Sequence, residues 1–132
     1  MGSINQMEIN QLEMDVSCYA TAVYHEVNTQ SLEEKLGVIN VIRNRVKSGR
    51  WGRSVCDVVY SNGQFAVRTE THKEVDRKTY LQTQLLVLDA IVFHKYANPV
   101  ADALYFHDDS IPPKNSWFGK KKIIHIGRMV FY

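Results

Sequence analysis

The segment Tyr24-His25-Glu26-Val27-Asn28-Thr29 carries the residue types of a zinc-protease helix, in which a second His follows four residues after the first. That position holds Thr29, so two imidazoles cannot converge on one ion. His25, His72, His94, His107 and His125 show no other ligand spacing, and there is no Cys-x-x-Cys pair. No metal or other cofactor is therefore expected. A serine nucleophile is equally unsupported, because no Gly-x-Ser-x-Gly elbow is present. Glu26 remains as an acid at the C-terminal end of an apolar segment. Ala22 and Val23 offer it no cation, and a helix C-terminus disfavours negative charge. Both effects would raise its pKa toward that of a proton donor at neutral pH. Local features alone still read more simply as a solvated helix-end glutamate.

The elements that must position Glu26 follow from apolar spacing. Val16, Tyr19, Ala20, Val23 and Val27 predict a helix over 14–27, preceded by a polar arm or short leading helix. Ser31 with Glu34 predicts a capping box that opens a second helix. Leu32, Leu36, Ile39, Ile42 and Val46 form its stripe, and Ser48-Gly49 ends it. A short helical turn or extended piece is expected around Val55–Val59, then an Asn-Gly turn in Ser61–Phe65 and a charged solvated loop. A third helix is predicted from Lys78 to Tyr96, with Leu81, Leu85, Leu88 and Ile91/Val92 facing the core and Asn98-Pro99 stopping it. Ala103–His107 and Ile123–Tyr132 are aromatic and β-branched and read as extended segments. Helices first and strands later imply an α+β domain, mainly helical, with a small β or extended lobe. The division is a polar arm over 1–15, whose first three residues resemble an added junction, and one domain over 16–132.

Composition narrows the function classes. A chain of 132 residues with 45% hydrophobic and 23% charged residues suits one soluble domain. Sixteen basic against fourteen acidic residues give +2, too balanced to imply nucleic acid. Lys120–Lys122 is a weak patch that reads as a solvated loop. No run reaches the ~20 apolar residues of a membrane span, and no secretory signal is visible. Membrane insertion is not expected, and a monomer is. Cys18 lies in an apolar run, so buried free thiols are favoured over a Cys18–Cys56 bridge. Tyr24, Phe65, Tyr105 and Trp117 sit near suspected loops and permit a saccharide cleft without establishing one.

Several motifs in order are more specific than any of these. Ala22 to Glu26, Asn44-Arg45-Val46, Val55 to Tyr60 and Gly63-Gln64-Phe65 are followed by Ala103 to His107, Trp117, Ile126-Gly127 and Val130-Phe131-Tyr132. From about residue 18 to 132 the chain resembles the SleB-type cell wall hydrolases, the spore-cortex-lytic enzyme family. It departs from the pattern at Val27-Asn28-Thr29, where small residues are common, and at Met129, where a His is usual. The resemblance implies a lysozyme-like fold that cleaves the glycan strands of peptidoglycan, with the general acid carried over onto Glu26. Tyr24, Asn44, Gln64, Phe65, Tyr105 and His107 are then candidate substrate contacts. Asn44 could equally cap or bridge helices, and Gln64 could hold the Asn-Gly turn. Asp57, Glu70, Asp76 and Asp108 carry no motif pointing to Glu26, so one carboxyl group has to suffice. That favours lytic transglycosylation over muramidase hydrolysis, which needs a second carboxylate to activate water; a non-catalytic glycan-binding module is the rival from another class. A protein of this kind is expected to stay cytoplasmic until released, as in phage lysis, or to be a processed exported domain.

Overall fold

The computed structural model describes residues 5–27, 29–61, 76–112 and 120–132. Helix α1 spans Gln6–Val27. Its start is fixed by Asn5, whose Oδ1 accepts the Glu8 N–H at 2.9 Å. Side-chain pairs four residues apart, Gln6 to Asn10 and Gln11 to Asp15, then support the exposed first turns. Such turns have no apolar face, and hydrophobic periodicity does not report them. The predicted face does point inward: Val16, Tyr19, Ala20, Val23 and Val27 are all buried.

Helix α2 runs Leu32–Ser48 between its predicted signals. Ser31 and Glu34 form the reciprocal capping box, and Gly49 closes the helix in the left-handed region at φ 71°. Val38, Ile39, Val41 and Ile42 are fully buried, making α2 the central helix. Gly37 lies under the Phe131 ring, where a β-carbon would overlap Cζ and Cε1. Phe131 is itself fully buried and has no room to retreat. Gly37→Ala is therefore expected to destabilise the fold by about 1–3 kcal/mol, despite alanine's better helix propensity. A lower denaturant midpoint checks this; an unchanged midpoint would mean that the ring can move aside.

Helix α3, Val55–Val59, is capped by Ser54, whose Oγ accepts the Asp57 N–H. The expectation of free thiols fails here. Cys18 of α1 and Cys56 of α3 form a disulfide, with Cα atoms 5.3 Å apart. An apolar setting signals burial of a cysteine but says nothing about a second cysteine brought alongside by the fold.

Helix α4 spans Arg77–Ile91, with Asp76 accepting from Lys78 N and Thr79 Oγ1 at its start. Its phase corrects the sequence reading. Thr83, Val87 and Ala90 face the core, with Leu88 and Ile91 packed against its edge as predicted, while Leu81 and Leu85 are 49% and 62% exposed. The helix ends at Ile91, short of Asn98-Pro99, because His94 takes φ 50° and the Lys95 N–H turns back to Asp89 O. The last run is a hairpin and not one strand. Strands β1 (Phe106–Asp108), β2 (Ile124–Ile126) and β3 (Met129–Phe131) form an antiparallel sheet in the order β1-β3-β2. Gly127, at φ 55°, makes the turn between β2 and β3. The inner face of the sheet packs on α2 through Phe131, giving the expected α+β architecture, mainly helical with a small sheet.

Candidate active site

Glu26 is part-exposed in the last turn of α1, between Val23 and Val27, which are buried to 0% and 1% exposure. This places a carboxyl group at the edge of the core on a helix that cannot rotate. Cys18 fastens that helix to α3 eight residues earlier. Tyr24 fastens it to α4. Its hydroxyl accepts the Asp76 N–H at 3.0 Å, and its ring meets the edges of His25 and Tyr80. The Tyr80 hydroxyl returns to α1, 3.2 Å from both Ser17 Oγ and Thr21 Oγ1. Tyr24 thus positions the segment that carries Glu26.

The chain leaving Glu26 is held by Glu34, which is only 5% exposed. Glu34 Oε1 accepts from Ser31 N and Oγ, at 3.2 and 2.9 Å. Its Oε2 accepts the Arg128 N–H at 3.3 Å, in the β2–β3 turn. A β-carbon at Gly127 would collide with this carboxylate, so glycine serves there for close approach as well as for its positive φ. The capping box was legible in the sequence. The second oxygen's role, joining the start of α2 to the hairpin, depends on a contact 94 residues away and left no local signal.

The outer face of the sheet carries Tyr105, His107 and Tyr132. The ladder extends past β1, because Tyr105 and Tyr132 exchange both backbone bonds, at 3.1 and 2.9 Å. His107 Nδ1 lies 2.8 Å from Asp108 O, which can only accept, so Nδ1 carries the proton. Nε2 then accepts from the Tyr132 hydroxyl at 2.9 Å, and the two rings stack. Both ring nitrogens of His107 are therefore engaged within the fold. Met129, where the family pattern has His, is 2% exposed on the inner face of the sheet.

Asn44 donates both amide hydrogens to the fold, to Ala101 O and Ala103 O at 2.9 Å each. Its neighbour Arg45 is 2% exposed and was not singled out from sequence. Arg45 Nε donates to Leu104 O at 2.7 Å, and its guanidinium stacks over Trp51 at 4.2 Å. Burial pushes its pKa down to about 10, with Arg50 adding to the effect, yet it remains charged at neutral pH. Asn44 and Arg45 together fasten the approach to β1 onto the end of α2. Gln64, Phe65, Glu70 and Trp117 lie outside the described residues.

Asp76 and Asp108 are engaged within the fold. Asp76 caps α4, and its hydrogen bond from Thr79 holds its pKa below the usual range. Asp108 accepts from Ser110 N and pairs with Arg128 at 3.0 Å, and these contacts lower its pKa too. Asp57 sits against Gly52 and accompanies the start of α3. Asp76 and Asp108 are thus held as carboxylates. Glu26 is the carboxyl group at a helix end beside the α1–α2 link.

A small sheet packed on a buried central helix is an arrangement this chain shares with SleB catalytic domains, whose fold is lysozyme-like. The fold is similar to that of the catalytic domain of the Bacillus cereus SleB protein, with a TM-score of 0.74 and 25% identity over 90% of this chain and 89% of that one. It is similar also to the catalytic domain of the germination-specific lytic transglycosylase SleB from Bacillus anthracis, with a TM-score of 0.72 and 25% identity over 99% and 98% of the two chains. Residues 29–132 match the cell wall hydrolase family, and the chain belongs to that family. No curated protein matches the chain. The family match begins three residues after Glu26, so the likeness to the SleB domains, which reaches across α1, is what bears on that helix.

Proposed function

We propose that the protein cleaves the glycan strands of peptidoglycan between N-acetylmuramic acid and N-acetylglucosamine as a lytic transglycosylase, with Glu26 as the general acid and base. The observation that carries this reading is the position of Glu26: a carboxyl group at the end of a braced helix whose last turns bury one face, in a fold shared with SleB catalytic domains. Glu26 protonates the glycosidic oxygen as it leaves muramic-acid C1. The resulting carboxylate takes the proton from that sugar's O6 hydroxyl, and O6 closes on C1 to give a 1,6-anhydro ring. The nucleophile is already part of the substrate, so no second carboxylate has to hold a water. The engagement of Asp76 and Asp108 elsewhere supports this one-carboxyl scheme. Tyr105 and His107 offer aromatic faces to the sugars from the outer side of the sheet, while Tyr24 and Asn44 act by positioning. Gln64 and Phe65 complete the set of contacts we assign.

The Cys18–Cys56 bridge suits work outside the reducing cytoplasm, where the wall lies. It fits an exported enzyme and equally a phage lysis protein passed through a permeabilised membrane. The test is incubation of the purified protein with purified peptidoglycan. Release of soluble glycan fragments is expected. Binding to the wall without release would identify a glycan-binding module that kept the fold.

A further inference from the structure

Helix α4 turns two of its leucines outward. Leu81 and Leu85 are exposed, and with Leu12, Val16 and Leu88 they line an apolar groove of about 630 Å³ between α1 and α4. Tyr24 beside Asp76 and Ser17 beside Tyr80 show that the two helices run antiparallel. The charges around the groove are ordered by the helix repeat of about 3.6 residues per turn. Arg77 lies two turns before Gln84, on the flank of α4 that faces α1, where Glu13 also lines the groove. Lys78 and Asp89, three turns apart, share the other flank. Arg77, Lys78 and Glu13 are exposed, and among the described residues they make no ion pair. Asp89 meets Lys95 only at 3.9 Å with both side chains part-solvated, a contact worth little.

We propose that this groove is the interface of a reversible homodimer, in which α4 packs antiparallel on α4 of a second copy about a twofold axis level with Thr83. Leu81 and Leu85 stand equally far before and after Thr83, so Leu81 of each copy meets Leu85 of the other. Such a twofold also brings like flanks together. On the outer flank, Lys78 of each copy reaches Asp89 of the other. On the inner flank, Arg77 reaches Glu13 of the other copy, because the antiparallel α1 sets Glu13 level with the far half of α4, beside Gln84 and Leu88. The leucines bury one another, and every charged contact joins opposite signs. Parallel pairing would set Lys78 against Lys78 and Asp89 against Asp89. This self-complementarity is what selects a second copy over an unrelated apolar partner. The contact is one helix and one groove wide, short of the span of an obligate dimer, so association depends on concentration. The monomer expected from composition gives way to this equilibrium. Glu26 lies ten residues beyond Val16 along α1, about 15 Å by helix rise, and stays outside the interface. The dimer is independent of the cleavage reading and would stand or fall without it.

The test is sedimentation equilibrium of the full chain over a concentration series. The mass is expected to rise from 15.2 kDa toward twice that value. Leu85→Glu is expected to weaken the dimer at least about a hundredfold, since two symmetry-related leucines lose their burial. Lys78→Glu and Asp89→Lys are each expected to weaken self-association about tenfold, because each makes two attractive contacts repulsive. Mixed in equal amounts, these two variants are expected to pair as tightly as the wild type, since both contacts between them again join opposite signs. A single 15.2 kDa species at every concentration up to about 1 mM overturns the proposal. A dimer indifferent to Leu85→Glu lies on another face and overturns it too. Charge variants that do not rescue each other overturn the register, and with it the case for a second copy. A monomer that sediments with phosphatidylglycerol vesicles, and ceases to do so on Leu85→Glu substitution, gives the groove to a lipid surface and overturns the dimer.

Discussion

Glu26→Gln is expected to reduce the release of soluble glycan from peptidoglycan by at least about 10²–10⁴-fold, the span that a positioned general acid contributes. Glutamine fills the same volume and keeps hydrogen-bonding capacity, but it has no proton to deliver to the leaving oxygen. It also has no carboxylate to take the proton from O6, so both halves of the proposed cycle fail together. The substitution sits at a part-exposed position in the last turn of α1. A folded variant is expected, because glutamine keeps the shape of the side chain it replaces, and its melting temperature checks this. Wall binding persists in this account, because the aromatic faces of Tyr105 and His107 lie on another element. A Glu26→Gln protein that still cleaves within a factor of a few of the wild type would remove Glu26 from the chemistry. The search would then move to the carboxylates of the loops.

The second large effect is on stability. Cys18 and Cys56 are 38 residues apart in sequence, and closing a loop of that size constrains the unfolded chain by about 4 kcal/mol. Domains of this size are stable by only about 5–15 kcal/mol, so the bridge accounts for a large share. Replacing both cysteines by serine, or reducing the bridge, is expected to lower the urea midpoint by a corresponding amount. Activity at moderate temperature survives this change, because Glu26 is held by Tyr24, Val23 and Val27 as well. At higher temperature the reduced protein loses activity first. Coincident unfolding curves with and without reductant would show that the bridge contributes nothing.

What the sequence revealed depended on whether a signal was local. Helix α2 was legible end to end, since Ser31, Glu34 and Gly49 act within a few residues of themselves. Helix α4 was legible as a helix but only partly in phase. Leu88 and Ile91 pack against the core as the stripe predicts, but Leu81 and Leu85 are exposed, and the buried positions of the helix are the smaller Thr83, Val87 and Ala90. The hairpin was read as one run because the left-handed turn at Gly127 is set by contact with Glu34. The disulfide, and the roles of Arg45 and Glu34, arise from residues brought together over long separations. For the candidate site, spacing excluded a paired-His zinc motif but did not raise Glu26 above an ordinary helix-end acid. The order of several motifs did that. Asn44 was open between bridging and binding, and its amide hydrogens are spent on Ala101 and Ala103. Tyr24 shows the same pattern, with its hydroxyl given to the cap of α4.

The most direct measurement of the central claim is the mass of the soluble muropeptides released from purified peptidoglycan by the wild-type protein and by Glu26→Gln. The one-carboxyl scheme predicts 1,6-anhydro-muramic products, lighter by one water than hydrolysed ends, from the wild type alone. Hydrated, reducing-end muramic products would contradict it, since they require a held water and a second base to activate it.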